Sequence, residues 1–309
     1  MKIVFMGTPD FAVRSLETLI HSKHEVIGVV TQPDKPKGRG KTIQMTPVKE
    51  LALEHGIPVF QPKRIRNEEA IAHVKEWNPD VIVVAAFGQL LPKEIIDMPQ
   101  YGCLNIHASL LPKYRGASPI QQAVINGEKE SGVTIMKMDE GLDTGDMLKK
   151  KSVLLDEKET GESLHDKLAL LGGPLMLEVL EELEKGTAVL TPQKDEESSY
   201  AKMLKKDMGH IDWEKPATVI ECLIRGLNSW PSAYTGFEGK TLKIWNADVV
   251  EENSEYNPGT IVRTEKDAVF VQTGEGLLKL KEVQLEGKKR MDMAAFLRGY
   301  HMDRGTILQ

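Results

Sequence analysis

The first half of the chain alternates largely apolar runs with amphipathic stretches. The runs Lys2–Met6, Glu25–Thr31 and Val81–Ala86 have the length of strands, and the third contains no polar residue. A strand that is apolar on both sides is typical of a parallel sheet covered by helices on both faces. Stretches of helical period, such as Phe11–Ser22 and Asn67–Trp77, separate these runs. The pattern predicts an α/β domain with a Rossmann-like, mostly parallel sheet.

The alternation continues towards the middle of the chain. Strands are expected at Cys103–His107 and Val133–Met138, with a helix at Pro119–Ile125 between them. A long amphipathic helix is expected over Ser163–Glu184. We therefore expect the first domain to span residues 1–189.

Beyond residue 189 the pattern changes. Residues 190–206 are polar without a sustained period, and we interpret them as a linker. From residue 207 onwards, short apolar runs are separated by turn signals such as Glu238-Gly239 and Asn257-Pro258. This spacing predicts a small OB-like β-barrel over residues 207–309, a scaffold that often binds oligonucleotides.

The net charge and the two cysteines limit the kinds of binding site that the chain can form. The 309 residues carry a formal net charge of −6, so any nucleic-acid binding must come from local basic patches. Cys103 and Cys222 are far apart and lie in no Cys-x-x-Cys pattern, which argues against a disulfide framework and a zinc site. No apolar run approaches the roughly 18 residues of a membrane span. We expect a cytoplasmic protein without a membrane segment or a bound metal.

The most informative polar residues follow two of the predicted strands. Asn105 and His107 are two residues apart on one strand, so their side chains project from the same face. Asp143 lies in a glycine-bounded loop after Val133–Met138. Ligands of open α/β sheets bind beyond the carboxyl ends of the strands. We therefore expect the amide, the imidazole and the carboxylate to meet at neighbouring strand ends.

Such a group of residues suits acyl transfer in which the substrate brings its own nucleophile, such as an amine. An asparagine amide can donate to an oxyanion as it develops, and a histidine can stabilise it or shuttle a proton. An aspartate can orient the imidazole or relay the proton of the amine. The spacing alone leaves a structural role open, because an Asn-x-His pair on a strand is often satisfied by backbone groups and Asp143-Thr-Gly-Asp146 also suits a turn.

Longer motifs carry a resemblance to a known family. The chain resembles the 10-formyltetrahydrofolate-dependent formyltransferases, and most closely the members that act on methionyl-tRNA. The segments concerned are Gly102–Ile120 (GCLNIHASLLPKYRGASPI), Gly132–Met147 (GVTIMKMDEGLDTGDM), residues 6–12 (MGTPDFA), residues 31–41 (TQPDKPKGRGK), His210–Trp213 and Arg225–Pro231.

The resemblance implies roles for particular residues. Asn105, His107 and Asp143 would be the catalytic residues, and the formyl group of 10-formyltetrahydrofolate would pass to the α-amine of initiator methionyl-tRNA. The folate would contact two segments, through Ser109, Leu110, Leu111 and Pro112 in one and Phe87, Gly88 and Leu91 in the other.

Two basic clusters are the candidates for tRNA binding. The first comprises Lys35, Lys37, Arg39 and Lys41, interleaved with proline and glycine, and is expected to form an exposed loop without regular structure. The second comprises Lys288, Lys289 and Arg290 in the predicted barrel. Composition alone would also fit solvated surface charge. The resemblance favours contact with the tRNA, and we expect a monomer.

The alternative functions make different demands on the sequence. A nicotinamide-dependent oxidoreductase would need Gly-x-Gly-x-x-Gly after the first strand, whereas the turn here is Gly7-Thr-Pro-Asp-Phe-Ala12. A sister formyltransferase acting on a nucleotide-sugar amine or on glycinamide ribonucleotide would use the same chemistry, but the glycinamide enzyme would need no C-terminal barrel. A non-catalytic RNA-binding module would not need Asn105, His107 and Asp143 together.

Overall fold

The computed structural model describes residues 1–37 and 42–309. They form two compact units that alternate along the chain. The first contains residues 1–116, 130–153 and 165–200, and the second contains residues 117–129, 154–164 and 201–309. The linear division into a domain, a linker and a barrel stays a prediction, and the units show which stretches pack together.

In the described residues the first unit is built on a seven-stranded sheet of order β10-β9-β7-β6-β1-β2-β5. Its strands are β1 (Lys2–Gly7), β2 (Glu25–Val30), β5 (Val59–Phe60), β6 (Val81–Ala85), β7 (Cys103–His107), β9 (Glu130–Lys137) and β10 (Met147–Leu154). The short strands outside this sheet are β3 (Lys35–Lys37), β4 (Thr42–Gln44), β8 (Arg115–Gly116) and β11 (Tyr200–Ala201). The helices of the unit are α1 (Asp10–Ile20), α2 (Pro47–Glu54), α3 (Glu68–Trp77), α4 (Lys93–Ile96) and most of α6 (Gly161–Lys185).

The sheet is mostly parallel, as the sequence predicts. β1 runs parallel to β2 and β6, and β6 runs parallel to β7. The departure is β9, which is antiparallel to β7, with Asn105 opposite Met136 and His107 opposite Thr134. We expected Asp143 to reach the site from the carboxyl end of a strand beside β7. The antiparallel direction of β9 shows that this expectation is wrong. β9 ends beside the start of β7, so the loop that follows must return to reach Asn105.

Close packing fixes the strand that carries Asn105 and His107. Every residue of β6, its neighbour, is buried. Helix α6 contains a pair of glycines where it approaches the sheet. A Cβ at Gly172 would lie 2.7 Å from Ile106 Cγ2, and a Cβ at Gly173 would lie 2.5 Å from Thr18 Oγ1. The glycines thus allow α6 to pack directly against β7 and α1.

The second unit contains an antiparallel sheet of order β12-β13-β16-β15-β14, with β17 paired to β16. Its strands are β12 (Ala233–Phe237), β13 (Lys240–Val250), β14 (Ile261–Thr264), β15 (Val269–Gln272), β16 (Leu277–Leu285) and β17 (Met291–Asp292). The C-terminal residues connect its two edge strands: Gln309 exchanges backbone hydrogen bonds with Gly236 of β12, and the N–H of Ile261 in β14 donates to Thr306 O. This closure agrees with the predicted OB-like barrel.

Helices α5 (Pro119–Ile125), α7 (Ala217–Gly226) and α8 (Met293–Leu297) belong to the second unit. Arg225 of α7 donates through Nε to both Glu221 oxygens and through Nη1 to Glu159 O. Helix α5 packs on α7, where a Cβ at Gly226 would lie 2.4 Å from Ile125 Cγ1. Removing residues 207–309 would therefore strip packing partners from α5. Within residues 1–37 and 42–309, none of the helices is both long and apolar enough to span a membrane.

Candidate active site

Asn105 and His107 lie at the carboxyl end of β7, as predicted. The same edge of the sheet receives the ends of β1 and β6. There the Thr8 hydroxyl donates to Phe87 O at 3.0 Å. Asn105 is half-buried, whereas the imidazole of His107 is only 6% exposed. A polar pair at this edge is positioned where open α/β sheets bind their ligands.

The loop of residues 138–146 brings Asp143 to this pair. Met138 N–H donates to Cys103 O at the start of β7. Further along the loop, Asp143 Oδ1 lies 3.4 Å from Asn105 Nδ2, and Asp143 Oδ2 accepts from Gly116 N at 2.8 Å. Asp143 has a φ of 56°. This left-handed conformation is less costly for Asp than for most residues. The amide, imidazole and carboxylate therefore meet, through a folded-back loop.

The two ring nitrogens of His107 have different partners. Nε2 lies 2.9 Å from Tyr114 O. Because a carbonyl oxygen only accepts hydrogen bonds, Nε2 must carry a hydrogen. Nδ1 faces Asp143 Oδ2 at 3.6 Å. Any proton that His107 gains or loses in a reaction therefore resides on Nδ1, on the side of the carboxylate.

The nearby hydroxyl and thiol are not arranged as nucleophiles. The Ser109 side chain donates to Lys113 O at 2.6 Å, and the residue is completely buried. Cys103 is also buried, and desolvation raises the pKa of its thiol. A thiol that is held protonated is a poor nucleophile. The arrangement suits a reaction in which the attacking group belongs to the substrate.

The residues predicted to contact folate are mostly internal. Ser109, Leu111 and Pro112 are buried, and Leu110 is half-buried. Thr134 anchors this turn, since its Oγ1 donates to Ser109 O and accepts from Leu111 N. In the other predicted segment, Phe87 and Leu91 pack their side chains in the core. Gly88, which lies between them, is exposed.

The residues predicted to bind tRNA are only partly described. Lys35 is exposed, and Lys37 ends β3, whereas Arg39 and Lys41 lie outside the described residues. β3 pairs antiparallel with β4, so the described flanks of this segment are short paired strands, where its proline and glycines predict irregular structure. Two backbone strands can pair across such residues when the proline nitrogen is not needed as a donor.

In the second cluster, Lys288, Lys289 and Arg290 are all exposed. Arg290 is committed within the protein, because Nε and Nη2 donate to the two oxygens of Glu282 and the guanidinium carbon lies 4.6 Å from the centre of the Trp245 ring. The hydrogen bonds to Glu282 raise the pKa of Arg290. The two lysines are the freer cations for a phosphate backbone.

Two residues near Asp143 were not singled out from the sequence. Gln193 donates from Nε2 to Asp143 O at 2.9 Å and to Gly145 O at 2.7 Å. Arg115 is 2% exposed. Desolvation lowers the pKa of its guanidinium, but hydrogen bonds to Tyr200 and Asp195 raise that pKa by more, so the net shift is upward. The signal in the sequence is slight: Arg115 lies inside a motif quoted above, and Gln193 lies in the predicted linker.

Gly145 gives a first test of the loop. A Cβ there would lie 1.8 Å from Lys137 O, so Gly145→Ala must displace the backbone beside Asp143. We expect kcat to fall about 100-fold, since a shift of about 1 Å at a reacting group has that effect. The matched control is Gly299→Ala, whose Cβ would meet nothing closer than Phe296 O at 4.0 Å. Equal kcat for the two variants would show that the loop position is unimportant.

Comparison with known proteins assigns the chain to a family. A model described as formyl transferase matches residues 1–180, and one described as formyl transferase, C-terminal domain, matches residues 203–301. The chain belongs to the formyl transferase family. Among full-length relatives, the methionyl-tRNA formyltransferase of Agathobacter rectalis is 58% identical over 307 residues, covering 99% of each chain. That of Caldanaerobacter subterraneus subsp. tengcongensis is 52% identical over 310 residues, covering all of each chain.

Solved structures show that the fold is that of the family. WlaRD, described as a sugar 3N-formyl transferase with dTDP and 5-N-formyl-THF, has a TM-score of 0.68 and 21% identity, with 94% of this chain and 99% of that chain covered. HypX from Aquifex aeolicus, in complex with tetrahydrofolic acid, has a TM-score of 0.62 and 20% identity. This chain spans half of HypX, since 99% of this chain matches 50% of that one. The predicted resemblance to the formyltransferases is confirmed.

Proposed function

We propose that this protein transfers the formyl group of 10-formyltetrahydrofolate to the α-amine of initiator methionyl-tRNA, and that Asn105, His107 and Asp143 carry out the transfer. The observation that supports this most strongly is the meeting of these three side chains at the ligand-binding edge of the sheet. The full-length relatives named as methionyl-tRNA formyltransferases support the choice of acceptor.

The reaction balances without a nucleophile from the protein. The amine nitrogen attacks the formyl carbon, and the carbonyl electron pair moves to oxygen to give a tetrahedral oxyanion. When the oxyanion collapses, the bond from the formyl carbon to folate N10 breaks. One proton leaves the amine and one is added to N10. The products are the formylated amine and tetrahydrofolate.

Each of the three side chains has a role that its contacts allow. The Asn105 amide donates from Nδ2 towards the oxyanion, an interaction that strengthens as charge develops. His107 holds or releases a proton at Nδ1, because Nε2 donates to Tyr114 O. Asp143 faces Nδ1 and stabilises the imidazole when it is charged. The N–H of Gly116 donates to the Asp143 carboxylate and helps to hold it in place.

The segment after β6 supports a folate site at the same edge. Ala86 and Gly88 are exposed and have φ values of 47° and 82°, while Phe87 between them is buried. The exposed parts of this segment are therefore largely backbone, together with Leu90, which is 75% exposed. Backbone N–H and C=O groups beside an apolar side chain suit a flat heterocycle that carries hydrogen-bonding groups at its edge.

The basic cluster at residues 35–41 is the proposed contact with the acceptor end of the tRNA. Arg39→Ala should raise the KM for methionyl-tRNA about 10-fold, because one lost phosphate or base contact has an effect of this order. The KM for 10-formyltetrahydrofolate should not change. Lys75→Ala, in α3, provides a comparison with an exposed cation outside both basic clusters and outside the predicted barrel. An unchanged KM for tRNA in Arg39→Ala would exclude this contact.

Competing acceptors test the proposed function directly. The protein is incubated with 10-formyltetrahydrofolate and, in separate reactions, with charged initiator tRNA, charged elongator methionine tRNA, a nucleotide-linked amino sugar and glycinamide ribonucleotide. We expect rapid formylation of the initiator methionyl-tRNA and little of the others. Preferential formylation of the sugar or of the ribonucleotide would replace the proposed acceptor while retaining the chemistry.

A further inference from the structure

Residues 191–200 pack along the backbone stretches that hold His107 and Asp143. At one end, Thr191 and Met147 exchange backbone hydrogen bonds of 2.8 and 2.9 Å. At the other end, Ser199 accepts from Tyr114 N through its side chain and from Arg115 N through its carbonyl. A polar connecting segment needs none of these bonds to link two domains. Residues 191–200 thus form a strap, the name used for them below.

Gln193 is the point of the strap that contacts the loop of Asp143. Its Nε2 has two hydrogens, and each has a carbonyl acceptor, Asp143 O at 2.9 Å and Gly145 O at 2.7 Å. Its Oε1 accepts from Arg115 Nε at 3.0 Å. A guanidinium only donates, so Arg115 fixes which end of the amide faces the loop. Both N–H groups of the Gln193 amide are therefore used to hold the two carbonyls.

Arg115 is rigidly held in turn. Its side chain is 2% exposed, and Nη2 donates to Asp195 Oδ1 at 2.9 Å. A buried guanidinium is costly unless its N–H groups are satisfied, so the hydrogen bonds to Gln193, Asp195 and Tyr200 keep Arg115 in place. Arg115 also lies between Tyr114, whose carbonyl binds His107, and Gly116, whose N–H binds Asp143. One short segment and the strap together surround the catalytic carboxylate.

Asp143 needs such support because its backbone is strained. Its φ of 56° lies in the left-handed region, which is less favourable than ordinary backbone conformations for a residue with a side chain, although less so for Asp than for most. A loop released from its anchors would move towards ordinary backbone conformations. The carboxylate would then lose its position beside Gly116 N and His107 Nδ1. Hydrogen bonds to the carbonyls of Asp143 and Gly145 oppose that change directly.

We propose that Gln193, oriented by Arg115, is a positioning residue for formyl transfer. It acts by holding Asp143 in the conformation that serves His107. The proposal rests on the proposed function, because it assigns Gln193 to the same reaction. It extends that function by including part of the predicted linker in the catalytic unit.

Gln193→Glu is the sharpest test, because it keeps the size of the side chain and the acceptor for Arg115. The new oxygen would face two carbonyl oxygens in place of a donor. We expect kcat for methionyl-tRNA formylation to fall about 10- to 100-fold, as expected when a reacting group is displaced by up to about 1 Å. The KM values for both substrates should stay within about 3-fold. Gln193→Met, which lacks both donors and adds no charge, should give the same direction of change if Gln193→Glu does not fold.

A second background separates positioning from general support of the fold. If Gln193 acts only through Asp143, adding Gln193→Glu to Asp143→Ala should slow the residual single-turnover rate by less than about 2-fold. A merely structural residue would slow both backgrounds by the same factor. That result, or an unchanged kcat in Gln193→Glu and Gln193→Met, would overturn the proposal.

Gln272 provides a matched control in the second unit. It is also buried, its Nε2 donates to Thr273 O at 2.8 Å, and its Oε1 accepts from Ser254 N at 2.7 Å. Gln272→Glu should lower the melting temperature but leave the kcat of the folded enzyme unchanged. An equal fall of kcat in both Glu variants would count against positioning. If the wild-type protein formylates no methionyl-tRNA, the proposed function fails instead, whatever the Gln193 variants do.

Discussion

Asn105→Ala is expected to slow formyl transfer about 100- to 1,000-fold at saturating substrates. Loss of one donor to an oxyanion typically has an effect of this size. The loss should lie in kcat, because the oxyanion exists only after the amine has attacked. Rapid-quench measurement of formyl-methionyl-tRNA in a single turnover would report it. Asn105 lies 3.4 Å from Asp143 through Nδ2, so the variant also removes a weak contact that helps to align the loop.

Asn105→Asp distinguishes electrostatics from packing in this prediction. The side chain keeps its shape, but a carboxylate repels both the oxyanion and Asp143. We expect Asn105→Asp to be at least as slow as Asn105→Ala. If Asn105→Asp were close to wild type, the side chain would be filling space rather than stabilising charge.

His107→Ala is expected to slow the transfer about 100- to 10,000-fold, the usual contribution of a positioned acid or base. Because Nε2 is fixed by Tyr114 O, the variant removes the only ring nitrogen that can exchange a proton with the reacting groups. Any dependence of kcat on pH that comes from proton transfer at Nδ1 should therefore be lost in this variant.

His24→Gln is the matched control for His107→Ala. His24 is likewise a buried histidine of the first unit, and its Nδ1 lies 3.2 Å from the Met1 amine. We expect the wild-type pH dependence of kcat in this variant. A pH dependence that persists in His107→Ala would assign the proton transfer to another group.

The elements with clear boundaries were predicted best. β7 and α5 have the predicted bounds, Cys103–His107 and Pro119–Ile125, because Gly102 precedes the strand and Ser118-Pro119 begins the helix. The direction of β9 could not be predicted in this way. An apolar run looks the same in a parallel and an antiparallel strand, and the turn of the chain after β7 depends on packing far along the sequence.

The candidate site was predicted in part. Asn105 and His107 follow from a two-residue spacing on one strand, which fixes their common face. Asp143 was predicted to join them, but the folded-back loop that carries it depends on the backbone of Gly116 and the amide of Gln193. Gln193 lies in a polar stretch without periodicity, and one glutamine there resembles any other. Such long-range anchors are visible only once the chain is folded.

The central claim is that Asn105, His107 and Asp143 form the chemical centre for formylation of methionyl-tRNA. The most direct test is the single-turnover rate of formyl transfer to initiator methionyl-tRNA by Asp143→Ala, measured with its Kd for the same tRNA. We predict that the rate falls by at least about 100-fold while the Kd stays within about 2-fold of wild type. A wild-type rate, or a loss of tRNA binding that accounts for the slower transfer, would contradict the claim.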